Sequence, residues 1–167
     1  MDAPEKVDIV THVNGVRRSV TVETRVVLAD LLRDRFRLKG SEIACDAGVC
    51  GACTVLVDGV PVAACSTMAF EVDGCAVTTI EGVGTGRQLD SLQEGFLSND
   101  AFQCGFCTPG MILSIQALLA RHPQADDPTI REWLGGNLCR CTGYQMIVET
   151  VNALVSRGLP CAGEHKQ

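Results

Sequence analysis

Ten cysteines in 167 residues, eight of them in two groups, constrain this chain more than any other feature. The first group is Cys45, Cys50, Cys53 and Cys65, and the second is Cys104, Cys107, Cys139 and Cys141. Cys75 and Cys161 stand apart. So many thiols serve as disulfides in an oxidising compartment or as metal ligands in a reducing one. The segment Met1 to Val10 begins acidic and lacks the basic and apolar regions of a signal peptide. Arg17-Arg18 sits inside a strand pattern with no hydrophobic run after it, so it reads as no export signal. The expectation is a cytoplasmic chain whose clustered cysteines bind metal.

Charge and hydropathy remove other classes. The net charge is −6 and no run of Lys or Arg occurs, which argues against nucleic acid as a partner. No apolar stretch approaches the roughly 18–20 residues that span a bilayer, so no membrane span is expected. His12, His122 and His165 are scattered, and no nucleophile–base pairing emerges. No catalytic residue is expected in this chain.

The pattern of apolar residues divides the chain into an α+β half and a helical half. Val7, Ile9, Thr11 and Val13 recur at the strand period of two, Asn14-Gly15 is a strong hairpin signal, and Val20 and Val22 continue on the return strand. Leu28, Leu31, Leu32 and Phe36 are spaced as one helix face. Thr54 to Val57, Asp58-Gly59 and Val60 to Val62 form a second hairpin. Two hairpins with a helix across them predict a β-grasp-like α+β domain over residues 1–80. Gly82, Gly84 and Gly86 mark a linker over 81–89, since their spacing is not that of a dinucleotide-binding loop. Residues 90–167 read as four helices, suited to a four-helix bundle. Leu92 and Phe96 mark the first. Thr108 caps the second ahead of Pro109, Asp127-Pro128 starts the third, and Thr142 caps the last. Trp133 reads as core.

The first cysteine group, Cys45-Asp-Ala-Gly-Val-Cys50-Gly-Ala-Cys53 with Cys65, has the C-x4-C-x2-C…C spacing of plant-type [2Fe–2S] sites. Gly48 and Gly51 permit positive φ where the loop wraps its ligand, and backbone N–H groups there form an anion-binding nest. Tetrahedral zinc competes but usually pairs two C-x2-C knuckles. The second group pairs Cys104-Gly-Phe-Cys107 with Cys139-Arg-Cys141, each just ahead of a helix start whose dipole favours thiolates. Two such helix starts facing each other would unite the pairs. Taken alone, this second spacing leaves zinc open. Cys75 and Cys161 are not expected to be ligands. Arg140, between two thiolates, either raises the potential of its centre or is a surface or helix-packing residue.

The two groups together resemble one family closely: the small iron–sulfur subunit, or N-terminal region, of molybdenum hydroxylases of the xanthine dehydrogenase and aldehyde oxidoreductase type. The matching segments are Cys45 to Val55, Gln103-Cys104-Gly105-Phe106-Cys107-Thr108-Pro109-Gly110-Met111, and Gly136-Asn137-Leu138-Cys139-Arg140-Cys141-Thr142-Gly143-Tyr144. The resemblance implies two [2Fe–2S] clusters, on Cys45, Cys50, Cys53 and Cys65 and on Cys104, Cys107, Cys139 and Cys141. It implies a large partner subunit with a molybdenum–pterin cofactor and a medium one with FAD, in a heterotrimer or dimer of heterotrimers. Electrons would run from the molybdenum–pterin centre through the helical-domain cluster and the ferredoxin-like cluster to FAD. Gln103 matches a residue that contacts the pterin, the Cys139–Cys141 loop would lie near it, and the Gly48–Gly51 loop would face the flavin. A free-standing ferredoxin and a zinc-stabilised interaction module are the alternatives. The substrate is not legible in this chain.

Overall fold

The computed structural model describes residues 4–84 and 88–158; Gly86, Cys161 and His165 lie outside the described residues. Strands β1 (Lys6–Val13) and β2 (Val16–Glu23) pair antiparallel in the register Lys6↔Glu23 to Val13↔Val16. Asn14 and Gly15 both take positive φ (51° and 76°), the turn whose twist matches that of paired strands. The alternation read in β1 is real: Ile9, Thr11 and Val13 are buried. The buried Thr11 hydroxyl donates to the Cys75 carbonyl at 2.9 Å. Strands β3 (Thr54–Val57) and β4 (Val60–Ala63) form the second hairpin, again turning on positive φ at Asp58 and Gly59.

Strand β5 (Ala76–Thr78) enters between the hairpins, parallel to β1 and antiparallel to β3, giving the order β2-β1-β5-β3-β4. Cys75 immediately precedes it. Helix α1 (Leu28–Asp30) runs on as a π-helical segment, Leu31–Arg35. Its residues Leu28, Ala29, Leu31 and Leu32 are buried against Ile9, Val22, Val55 and Val77 from the sheet. Phe36 ends half-buried, with the Arg18 guanidinium 5.4 Å from its ring centre.

The segment that follows is tied down. Asn14 donates to the Thr79 hydroxyl and accepts from the Thr79 amide, both at 2.9 Å, and Ile80 and Val83 pack on the helical core. Four helices come next: α2 (Ser91–Ser98), α3 (Thr108–Arg121), α4 (Asp127–Leu134) and α5 (Gln145–Ser156). They share one apolar cluster that includes Phe96, Met111, Ile115, Leu118, Ile130, Ile147 and Val151. Trp133 packs at its edge and donates its indole N–H to the Ser114 carbonyl at 2.8 Å. Three caps differ from expectation. Cys107, not Thr108, precedes α3, and its side chain makes no cap hydrogen bond. Asp126 caps α4 through the Thr129 amide, one residue ahead of the expected start. Tyr144 precedes α5, and the hydroxyl of Thr142 is engaged elsewhere.

The two halves meet along β3 and α3, where Leu56, Leu113 and Ala117 form a small buried cluster. Close approach is possible because α3 presents Gly110: a Cβ there would fall inside contact distance of the Gly51 carbonyl oxygen. Gly110→Ala is therefore expected to lower stability by about 1–3 kcal/mol, as overpacking does. Gly136→Ala adds a methyl whose nearest neighbour is Trp133 O at 3.6 Å. It should change stability by less than about 0.5 kcal/mol. Urea unfolding followed by far-UV circular dichroism checks the pair.

Candidate metal centres

The first centre is a loop between α1 and β3 closed by the turn after β4. Gly48 and Gly51 take φ of 69° and 70°, as the spacing required. The backbone then turns its amides onto sulfur. Gly48 N–H donates to Cys65 Sγ at 3.3 Å, Cys50 N–H to Cys45 Sγ at 3.4 Å, and Cys65 N–H to Cys53 Sγ at 3.5 Å. Cys53 and Cys65 are buried, Cys50 is half-buried and Cys45 is exposed. These positions split the thiol acidities. The Cys50, Val49 and Ala47 amides lower Cys45 to about 6, whereas burial pushes Cys53 up to about 11.

The second centre unites two segments far apart in sequence. Cys104 and Cys107 lie on the approach to α3, and Cys139 and Cys141 on the loop from α4 to α5. Cys141 Sγ lies 3.7 Å from Cys104 Sγ, and the Cys107 and Cys139 thiols are in hydrogen-bonding contact. Burial pushes Cys107 up to about 12. Burial also opposes ionisation of Cys139, but hydrogen bonds from the Thr142 hydroxyl and amide and the Cys141 amide outweigh it and lower that thiol. The adjacent Cys104 raises Cys141.

Both centres share one geometry. Their thiols come in pairs, Cys45 with Cys50 and Cys53 with Cys65, then Cys104 with Cys141 and Cys107 with Cys139. Among the described residues no three such ligands gather around one point. Thiolate pairs fed by backbone N–H groups suit a dinuclear iron–sulfur unit, in which each iron takes two protein sulfurs. The other sequence candidates fall outside these pairs. Cys75 belongs to neither set of paired thiols; its Sγ donates to the Glu71 and Asp73 carbonyls. Arg140 and Gln103 are exposed next to the second centre. Cys161 lies outside the described residues.

Three residues of the segment 136–144 take roles that the sequence reading did not assign to them. Asn137, 3% exposed, donates to the Gly51 carbonyl at 2.9 Å and to Thr54 Oγ1 at 3.3 Å. Leu138 N–H donates to the Cys50 carbonyl at 2.8 Å, which joins the two cysteine loops directly. Tyr144, with φ of 68°, accepts at its phenol from Cys139 N–H (2.9 Å) and donates to the Asn137 carbonyl (3.1 Å). The available signal was their place beside Cys139 and Cys141 in an otherwise loop-like segment.

Comparison with known proteins agrees with this geometry. The family model described as 2Fe-2S iron-sulfur cluster binding domain matches residues 11–74, and that of the [2Fe-2S] binding domain matches residues 79–152. The protein is thus one with two [2Fe–2S]-binding domains, the first ferredoxin-like. The nicotine 6-hydroxylase small subunit of Paenarthrobacter nicotinovorans is 48% identical over 147 residues, 88% of each chain. The nicotinate dehydrogenase small FeS subunit of Eubacterium barkeri is 43% identical over 152 residues, 91% of this chain and 97% of that one. The solved aldehyde oxidoreductase of Desulfovibrio gigas superposes with a TM-score of 0.86 at 38% identity, covering 93% of this chain and 18% of the longer one. The chain belongs to the family of small iron–sulfur, electron-transfer subunits of molybdenum hydroxylases of the xanthine dehydrogenase and aldehyde oxidoreductase type. Among the described residues no helix is long and apolar enough to cross a membrane.

The split in thiol acidity can be measured in the cluster-free chain. At about pH 7 Cys45, with its value near 6, is mostly thiolate, while Cys53 and Cys107 stay protonated. Iodoacetamide should label Cys45 well before Cys53 or Cys107. Its rate at Cys45 should be half-maximal near pH 6, while the other two rates rise beyond the ordinary thiol range. Peptide mapping by mass spectrometry reads the order.

Proposed function

We propose that the paired thiols are the cluster ligands and that this chain relays electrons within a larger molybdenum hydroxylase. Cys45 and Cys50 hold one iron of the first centre, Cys53 and Cys65 the other. Cys104 with Cys141 and Cys107 with Cys139 do the same in the second. Pairing of the eight thiols at both centres is the observation that carries this assignment. The division follows: a ferredoxin-like domain over 1–80, a connecting segment over 81–89, and a helical domain over 90–167 arranged as a four-helix bundle.

The residues present fit such clusters: soft thiolate donors, amides aimed at their sulfurs, and glycines where a Cβ would intrude. When bound, a [2Fe–2S] cluster accepts and releases one electron. The protein's own contribution is to hold, insulate and connect the centres. Burial of Cys53 and Cys65 keeps water from one side of the first. Leu138 N–H bonded to the Cys50 carbonyl makes a continuous bonded path between the ligand loops, from Cys139 through the Leu138 backbone to Cys50.

A large subunit with a molybdenum–pterin cofactor and a medium subunit with FAD complete the assembly, as a heterotrimer or a dimer of heterotrimers in the cytoplasm. Gln103, exposed beside Cys104, contacts the pterin. The relatives carry names that specify nicotine, nicotinate or aldehyde, although their iron–sulfur chains are alike. Substrate choice accordingly belongs to the large subunit.

Two measurements on the complex purified from its native cell test this reading. Iron and labile sulfide should each reach about four per chain, as two [2Fe–2S] clusters require, with molybdenum and flavin in co-eluting larger subunits. Cys45→Ser should abolish or alter one of two electron paramagnetic resonance signals, and Cys107→Ser the other. Zinc without sulfide would overturn the reading, and iron and sulfide without partners would leave a free ferredoxin in its place.

A further inference from the structure

Cys139 Sγ differs from the other cluster thiols in its donors. It receives the Thr142 amide at 3.4 Å and the Thr142 hydroxyl at 3.0 Å. A hydroxyl has one proton to give, and the surroundings fix where it goes. Tyr144 N–H donates to Thr142 Oγ1 at 3.2 Å, which takes up a lone pair and leaves the proton for sulfur. That amide is aimed by the left-handed backbone of Tyr144 (φ 68°), a conformation uncommon for a residue with a side chain. The Tyr144 phenol then closes the loop by bonding Cys139 N–H and the Asn137 carbonyl. Residues 137–144 thus form a ring of hydrogen bonds that presents one hydroxyl to one ligand sulfur.

We propose that Thr142 is a positioning residue that sets the reduction potential of the second centre through this O–H···S hydrogen bond. The inference rests on the reading of Cys139 as a cluster ligand. Reduction adds negative charge that is shared with the ligand sulfurs, so a donor to sulfur stabilises the reduced form more and raises the potential. The first centre has a longer counterpart among the described residues: its sulfurs receive backbone amides, and the Ser66 hydroxyl lies 3.6 Å from Cys65 Sγ, against 3.0 Å for Thr142 and Cys139. The Thr142 hydroxyl itself donates to the second centre, so its removal acts there and leaves the Ser66 contact of the first in place.

The test is a redox titration of the assembled complex, followed by electron paramagnetic resonance, for the wild type, Thr142→Val and Thr142→Ser. Thr142→Val should make one centre about tenfold harder to reduce, a fall of about 59 mV for a one-electron couple. Thr142→Ser, which keeps the hydroxyl, should return that midpoint to the wild-type value. The other centre's midpoint and the iron and sulfide contents should not move. If Thr142→Val does not assemble, Thr142→Ala removes the same hydroxyl in a smaller volume. A midpoint within about twofold of wild type in whichever variant assembles overturns the proposal. So does a Thr142→Ser that shifts as far as Thr142→Val. The ligand reading fails separately, if Cys139→Ser leaves both wild-type signals intact.

Discussion

The contact between the two cysteine loops governs the rest of the molecule. Each half has its own apolar cluster, and those clusters alone would leave the relative placement of the centres to a few side chains at β3 and α3. What fixes it is Leu138 N–H on the Cys50 carbonyl and the buried Asn137 amide on the Gly51 carbonyl. A buried amide has no water to exchange its partners with, so it holds one geometry. The approach also demands that residues 51 and 110 have no side chain. A Cβ on either would strike the facing segment. Gly51 therefore answers two demands at once, a positive φ for its own loop and room for the other half.

Much of this was legible in the sequence, for local reasons. Asn14-Gly15 and Asp58-Gly59 specify turns that few other pairs allow, and the period-two alternation around them assigns the strands. The C-x4-C-x2-C spacing is informative because loop closure around a small inorganic unit allows few arrangements. The helices followed from their apolar stripes. In each of these cases the partners lie within one element or one turn.

What stayed hidden in the sequence has the opposite character. Thr142 has the look of a helix cap, and only the fold shows that its proton goes to Cys139 and that Tyr144 precedes the helix. Asn137 finds its acceptor 86 positions away, so nothing near it in sequence announces the role. Arg140 is exposed, as one of its two sequence readings has it, and the donor to sulfur beside it is the uncharged Thr142 hydroxyl. A charge is visible in a sequence, whereas the direction of a hydrogen bond is not.

The loop contact also separates two quantities that govern any electron-transfer rate. The link from Leu138 to Cys50 is made of main-chain atoms, so it does not depend on the Leu138 side chain. The bonded path between the two cysteine loops is thereby independent of that side chain. The driving force, by contrast, depends on side-chain donors such as the Thr142 hydroxyl, each open to replacement. A family built on this plan can adjust the energy step between its centres to suit different substrates and acceptors without altering the span an electron must tunnel.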